Sequence, residues 1–283
     1  MSWSTRNGQV VGRLGQGTWQ MGLQASLREQ EVAILQLGVD RNLRHIDTAE
    51  AYGGGEAERI VGDAIRGRRG DVFLTTKVRP QNASRNGVVQ SLEGSLARLG
   101  TDAVDLYLLH WPSQTHPLEE SLAGLQDCAA RGLTRYIGVS NFTTSLLEDA
   151  MRLADGQIAT NQVAYSLMAR EPDVTLRPYM ESHGVMLTAY SPLRPLMGDS
   201  VSEAARQALR DVASRHGVSE ATVAMAWVLG PASRLVTAIP KTLHLGHLEQ
   251  NMQALELALT HEDLHILDEA FPPATDDLEL RKL

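Results

Sequence analysis

Residues 72–110 read VFLTTKVRPQNASRNGVVQSLEGSLARLGTDAVDLYLLH. A β-like run, Val72–Thr76, gives way to a segment in which Val89, Leu92, Leu96 and Leu99 recur at helical spacing and stop at Gly100, a residue suited to a helix C-cap. A second β-like run, Val104–Leu109, follows. Lys77 lies just past the first run and His110 just past the second. An earlier run, Leu43–Ile46, is followed by Asp47 and then Tyr52. If the three strands are parallel neighbours, a carboxylate, a phenol, an amine and an imidazole meet in one mouth. Those are the ingredients for proton transfer to a carbonyl oxygen.

The same alternation extends in both directions. Arg13–Gly17, Tyr136–Val139, Ala159–Val163, Val185–Ala189 and Leu235–Ile239 complete a set of eight strand candidates. Ala57, Ile60, Val61, Ala64 and Ile65 form one apolar helix face. Leu118, Leu122 and Leu125 form another that ends near Gly132, and Leu146, Leu147, Ala150 and Leu153 a third that ends near Gly156. The interval 201–227 holds two helical segments, split at Gly217-Val218-Ser219. Two more helices are expected around Gly246–Leu257 and His261–Ala270, before Pro272-Pro273 and a polar tail. With no linker or low-complexity tract, this pattern predicts an α/β fold, a (β/α)8 TIM barrel, as a single domain over residues 1–283 with extra helices near the C-terminus. Residues before Arg13 are expected to form a turn or hairpin over the barrel's other end. The chemistry of such a barrel gathers at the C-terminal ends of its strands.

The bulk composition of 43% hydrophobic and 21% charged residues is that of a soluble globular protein with ample core material. A net charge of −8 and a pI near 5.6 argue against nucleic acid or an anionic membrane as a partner. No stretch approaches the roughly 18 apolar residues of a membrane span, and residues 1–22 show no signal-peptide pattern. The single cysteine, Cys128, reads as a small buried hydrophobe and cannot form an internal disulfide. A cytoplasmic location is the expectation, and nothing demands assembly beyond a monomer.

Taken singly, Asp47 or Lys77 could be a solvated rim residue, His110 a turn histidine and Tyr52 a ring packed over a glycine loop. Jointly, four reactive side chains at successive strand ends point to carbonyl chemistry. A tyrosine with an ordinary pKa of about 10 is a stable proton donor, and a nearby cation eases loss of that proton. Lys77 supplies the cation, Asp47 keeps it charged, and His110 directs a second donor at the same oxygen. No side chain here carries a hydride, so carbonyl–alcohol interconversion requires a cofactor. The usual dinucleotide fingerprint is absent, since Gly15-Gln16-Gly17 lacks its third glycine. A nicotinamide nucleotide could instead lie across the mouth. Ser140, Asn141 and Gln162 would face the carboxamide, Tyr190 would stack, and Lys241 and Thr242 would meet a phosphate.

The chain resembles the aldo-keto reductase family in Gly15-Gln16-Gly17-Thr18-Trp19, His45–Gly53, Thr75-Thr76-Lys77 and Leu108-Leu109-His110-Trp111-Pro112. The likeness continues through Gly138–Phe142, Asn161-Gln162, Ala189–Leu193 and Ile239-Pro240-Lys241, spanning nearly the whole chain in order. The resemblance implies a (β/α)8 barrel that binds NADP(H) in extended form and reduces aldehydes or ketones. It makes Tyr52 the general acid, Lys77 and Asp47 the pair that tunes it, and His110 the residue that orients the carbonyl. On the cofactor side it implies Thr18, Trp19 and Asp47, then Ser140, Asn141 and Gln162 at the carboxamide and Tyr190 under the nicotinamide. Ser191 and Leu193 fall at the pyrophosphate, and Lys241, Thr242 and Asn251 around the adenosine.

One position departs from the pattern. Where many NADPH-preferring members carry an arginine that clamps the 2′-phosphate, this chain has His247. An imidazole, mostly neutral at pH 7, is no match for a bidentate guanidinium. NADPH remains the expected coenzyme and NAD(H) the alternative. The form resembles bacterial diketogluconate and diketogulonate reductases, with Trp19 and Trp111 joining Tyr52 and His110 around the substrate and the tail after Phe271 as a lid. Two other readings belong to the resemblance: an NAD(H)-dependent sugar or polyol dehydrogenase, and a cofactor-binding regulatory module. No metal site is expected, since His244 and His247 lack a supporting carboxylate pattern.

Overall fold

The computed structural model describes residues 3–196, 201–231, 235–272 and 274–275. Eight strands, β1 (Gly15–Gly17), β2 (His45–Asp47), β3 (Phe73–Val78), β4 (Val104–Leu109), β5 (Thr134–Ser140), β6 (Ile158–Ala164), β7 (Met186–Tyr190) and β8 (Val236–Ala238), pair in sequence order. Every pairing between consecutive strands is parallel. A parallel bridge from Leu14 to Ala238, with the Ala238 amide donating to Arg13 O at 2.9 Å and the Gly17 amide to Pro240 O at 2.9 Å, joins the two ends and closes the barrel. Closure is so tight at Gly17 that a Cβ there would lie 2.5 Å from the Ile239 carbonyl oxygen. A glycine is therefore required at this seam.

The helices are α1 (Arg28–Asp40), α2 (Glu56–Ala64), α3 (Arg85–Leu99), α4 (Leu118–Ala130), α5 (Thr144–Leu153), α6 (Leu176–Ser182), α7 (Glu203–His216), α8 (Glu220–Leu229), α9 (Leu245–Gln253) and α10 (His261–Ala270). Their starts follow local chemistry. Ser84, Thr143, Ser202, Ser219 and Thr260 each accept a backbone N–H from the first turn, and Thr260 with Asp263 closes a capping box. Gly100 ends α3 in the left-handed conformation, φ 63° and ψ 39°. The 201–227 interval is two helices parted at 217–219, as its pattern implies.

Two apolar layers hold the structure. The larger lies between barrel and helices, joining residues such as Ile46, Val78, Leu109, Val139 and Val163 to Ile60, Leu92, Leu125 and Leu147. The smaller fills the barrel's N-terminal half with Phe73, Leu106, Leu108, Ala159 and Met186, plugged by Trp3, which stacks on Phe73 at 4.7 Å. Trp3 is carried by the short N-terminal hairpin, where Ser4 bridges Val10 in antiparallel fashion. With an apolar floor and the helix ring sealed, polar side chains inside the barrel collect at the C-terminal mouth. Among the described residues no helix is long and apolar enough to cross a membrane. Cys128 is buried, which pushes its thiol up to about 12.

Candidate active site

Asp47 ends β2, Lys77 is the penultimate residue of β3, and His110 follows β4 directly. Tyr52 opens a tight turn over 52–55 in which Gly53, Gly54 and Gly55 have φ of 56°, 64° and 98°. A Cβ on Gly53 would stand 2.8 Å from the Met21 carbonyl oxygen, so the turn needs glycine both for conformation and for space. The turn lays the phenol across the ends of β3 and β4. Lys77 Nζ donates to Asp47 Oδ1 at 2.5 Å, to Thr48 O at 2.8 Å and to Tyr52 Oη at 3.4 Å. Tyr52 Oη lies 3.5 Å from His110 Nε2, with the rings edge to face. The structure thus brings all four strand-end residues together.

Burial governs their protonation. It alone would neutralise Lys77, but the charge of Asp47, the Tyr52 hydroxyl and hydrogen bonds to both reverse the effect and raise the ammonium pKa. Tyr52 is raised above its ordinary value because burial outweighs the pull of Lys77, so the phenol is held as an acid at neutral pH. The sequence reading named the cation Lys77 as an influence on the phenol; in the folded chain desolvation is the larger one. His110 is pushed down to about 3 by burial and then by the charges of Lys77 and Arg79. It is a neutral imidazole at pH 7 and can donate one N–H.

A polar arc continues from this cluster across β5, β6 and β7. Gln162 donates to Asp47 Oδ2 at 2.8 Å, tying the arc to the four-residue cluster. Ser140 Oγ donates to Gln162 O at 2.8 Å, Asn141 Nδ2 to Ser140 Oγ at 3.0 Å, and Tyr190 Oη to Asn141 Oδ1 at 2.9 Å. Asn141 (φ 64°) and Ser191 (φ 50°) both take the left-handed conformation, turning the chain sharply after β5 and β7. Leu193 is half-buried beyond Ser191. Thr18 is fully buried and its hydroxyl donates to Asp47 O at 3.0 Å, so this residue faces inward. Trp19 is 55% exposed, unusual for so large an apolar ring, whereas Trp111 is half-buried beside His110.

The far end, beyond β8, is built differently. Lys241, His244 and His247 are exposed, and Thr242 is half-buried with its hydroxyl accepting the His244 amide at 3.0 Å. The His244 and His247 rings meet edge to face at 5.1 Å. A small pocket here is lined by Gly15, Gly17, Pro240, Thr242, Leu248 and Asn251. Asn251 is 3% exposed, and its Oδ1 is buried without a hydrogen-bond partner. A buried acceptor without a donor is costly, and a ligand amine would satisfy it. The donor set as a whole fits a nicotinamide dinucleotide: amide and hydroxyl groups beside the acid cluster, an aromatic ring after β7, and a cation with an unsatisfied amide past β8. Of the tail, Phe271 is buried and lines a cavity with Leu167 and Val201; residues 276–283 lie outside the described residues. Among the described residues no cluster of His, Cys, Asp or Glu could hold a metal ion.

Sequence reading missed the shell behind Tyr52 and Lys77. Glu58, fully buried on α2, accepts from Arg98 at 2.6 Å and from Thr76 Oγ1 at 2.6 Å, and the Arg98 side chain packs against Gly55. Glu50 Oε1 accepts from the Arg79 amide at 2.7 Å and from Asn82 Nδ2 at 3.1 Å, sewing the β2 loop to the β3 loop. A charged residue at an inward helix position, as Glu58 is beside Ala57 and Val61, was the available signal.

At the mouth of an eight-stranded parallel barrel, an ion-paired lysine, a protonated tyrosine and a neutral histidine form a cluster suited to acid–base chemistry. The profile of the Aldo/keto reductase family matches residues 13–271, and the chain belongs to that family. It is 40% identical over 260 residues to the methylglyoxal reductase YeaE of Escherichia coli strain K12, covering 92% of this chain and 90% of that one. An aldo/keto reductase from Klebsiella pneumoniae, solved in complex with NADP and acetate, superposes with a TM-score of 0.90 at 38% identity, over 99% of this chain and 98% of that one. A putative 2,5-diketo-D-gluconic acid reductase B superposes with a TM-score of 0.81 at 31% identity, over 100% and 95%.

Proposed function

We propose that the chain acts as one domain, an NADPH-dependent reductase of aldehydes and ketones in which Tyr52 is the general acid. The observation that carries this reading is the hydrogen-bonded chain Asp47–Lys77–Tyr52–His110, with Tyr52 Oη and His110 Nε2 3.5 Å apart. A carbonyl oxygen placed between those two atoms accepts from both. NADPH, when bound, supplies the hydride to the carbonyl carbon. His110, neutral, fixes the oxygen's direction and stabilises the charge that builds on it. Tyr52 then delivers its proton to that oxygen, and the Lys77 ammonium, held charged by Asp47, stabilises the phenolate left behind. Ser140, Asn141 and Gln162 would hold the nicotinamide amide, Tyr190 the ring's face, Ser191 and Leu193 the pyrophosphate side, and Lys241, Thr242, His247 and Asn251 the adenosine end. Trp19 and Trp111 would flank the small-molecule carbonyl substrate.

The homologous methylglyoxal reductase and the NADP complex of the Klebsiella relative support this assignment of reaction and coenzyme. The test is NADPH oxidation against a panel of aldehydes and ketones, with Tyr52→Phe alongside. That variant should lose about 10²–10⁴-fold in kcat/KM while NADPH still binds, read by quenching of protein fluorescence. Full activity of Tyr52→Phe on every active substrate would remove Tyr52 from the acid's role.

A further inference from the structure

Arg79 lies two residues beyond Lys77, and its backbone is extended, with φ −68° and ψ 148°. The pleat of β3 therefore continues to it, and side chains two apart leave a strand on the same side. Val78, between them, is buried in the layer facing the helices, so Lys77 and Arg79 both turn to the barrel's inner side. Parallel register sets Val78 opposite Leu109, and the His110 amide donates to Val78 O at 3.0 Å, which brings Arg79 alongside His110. The side chain is half-buried, anchored by one bond from Nη2 to Glu50 O at 3.2 Å. The nearby Glu50 carboxylate is committed to the Arg79 amide and Asn82. The guanidinium pairs with no carboxylate among the described residues, although most arginines of this chain do, as Arg69, Arg85, Arg98 and Arg177 show.

After burial, Lys77 and Arg79 lower the His110 pKa, so both cations lie close to its ring. Lys77 is paired with Asp47, whereas the Arg79 guanidinium has no such counter-ion among the described residues. A chain with a net charge of −8 thus keeps an unpaired cation beside His110. That guanidinium serves neither the hydride nor the proton, both of which the four-residue cluster and the coenzyme account for. It suits a negative substituent on the substrate, which an arginine can bind through two parallel N–H bonds.

We infer that Arg79 is a specificity-determining residue that selects carbonyl substrates carrying a carboxylate, docking that group beside His110 while the carbonyl oxygen sits between His110 and Tyr52. This rests on the carbonyl-reductase reading and narrows its substrate class to oxo acids and aldehyde acids.

The experiment compares succinic semialdehyde and 4-carboxybenzaldehyde, each with its own methyl ester, under saturating NADPH. The wild-type chain should favour the acid over the ester by about tenfold or more in kcat/KM, the scale of a charge-assisted hydrogen bond. Arg79→Gln should collapse that preference, chiefly through KM for the acids, and Arg79→Lys should restore part of it. An acid-to-ester ratio is independent of how much variant folds, so a purely structural role for Arg79 would leave it unmoved. An unchanged ratio in Arg79→Gln, or a wild-type preference for the esters, overturns the assignment. Turnover of the esters alone would do so while leaving the carbonyl-reductase reading intact. If neither acids nor esters nor the wider panel is reduced, it is that underlying reading that fails.

Discussion

The two ends of the mouth are constructed on opposite plans. At the carbonyl end Asp47, Lys77, Tyr52 and His110 are buried or nearly so, and the first three are joined by hydrogen bonds from Lys77 Nζ, 2.5 Å to Asp47 and 3.4 Å to Tyr52, with Gln162 and Thr48 as further partners. Beyond β8, Lys241, His244 and His247 stand in solvent, and the buried Asn251 has an oxygen with no partner. A pre-paired, desolvated cluster fixes protonation states before any ligand arrives. An exposed set contributes screened interactions that small changes of sequence can retune. On the proposed function, the reaction belongs to the first region and coenzyme preference to the second.

The sharpest way to break that contrast is to remove the charge that holds the first region together. Asp47→Asn leaves the Lys77 ammonium buried with no counter-ion. It should lower stability by about 3–5 kcal/mol in denaturant unfolding and abolish carbonyl reduction. The double variant Asp47→Leu/Lys77→Met, which removes both charges, should recover part of the stability and none of the activity. If the double variant were no more stable than the single one, the pair would have been retained for packing rather than for chemistry.

How far this division was legible in the sequence follows the same physics. Strands β3 to β8 were readable because parallel strands sealed on both faces are short runs rich in apolar and β-branched residues; β1, Gly-Gln-Gly, and β2, His-Ile-Asp, lack that composition. The carbonyl cluster was readable because four reactive side chains fall at the ends of successive runs. Helix α1 was not marked by its pattern: Val32, Ile34, Leu35, Leu37 and Val39 spread around the cylinder, and Glu31 is buried, accepting the Gly22 amide. Helix α6 is seven residues long and contains Pro178, too little for a periodic signal. The Glu58–Arg98 pair and the Arg79 guanidinium escaped notice because their partners are 40 and 29 residues away in sequence, contacts that only the closed barrel creates. Desolvation of Tyr52 was also absent from the sequence reading, since the depth of burial is a property of the assembled mouth.

A second effect separates the ends by pH. His45, wholly buried under the cluster with Nε2 3.0 Å from Thr75 Oγ1, is held down to about 4, by burial first, with Lys77 adding to the effect and Asp47 opposing it. His110 is held down to about 3. In the unfolded chain each imidazole takes up a proton near pH 6.5. Stability contributed by keeping them neutral is therefore complete above that pH and is lost as pH falls toward the folded values. His45 alone should account for a loss on the order of 3 kcal/mol between pH 6.5 and 4. The carboxylates held below their ordinary range, Asp63, Asp127 and Asp263, act only at lower pH. Urea unfolding at pH 7 and pH 4.5 measures the loss, and His45→Gln should flatten the dependence. An equal slope in wild type and variant would place the acid sensitivity elsewhere.

The smallest effect belongs to the exposed end and tests its plan directly. His247→Arg would put a permanent, bidentate cation beside Lys241 and Thr242, where a 2′-phosphate is the anion that distinguishes NADPH from NADH. Because His247 is exposed, the new interaction is screened and should amount to about 0.2–1 kcal/mol, or up to about fivefold in affinity. The apparent constant for NADPH should fall by that factor, with little change for NADH, and the difference should shrink as ionic strength rises. Equal changes for both coenzymes would mean that His247 does not face the 2′-phosphate. A change much larger than fivefold would mean that this end becomes desolvated when the coenzyme binds, and the contrast between the two regions would then hold only for the free chain.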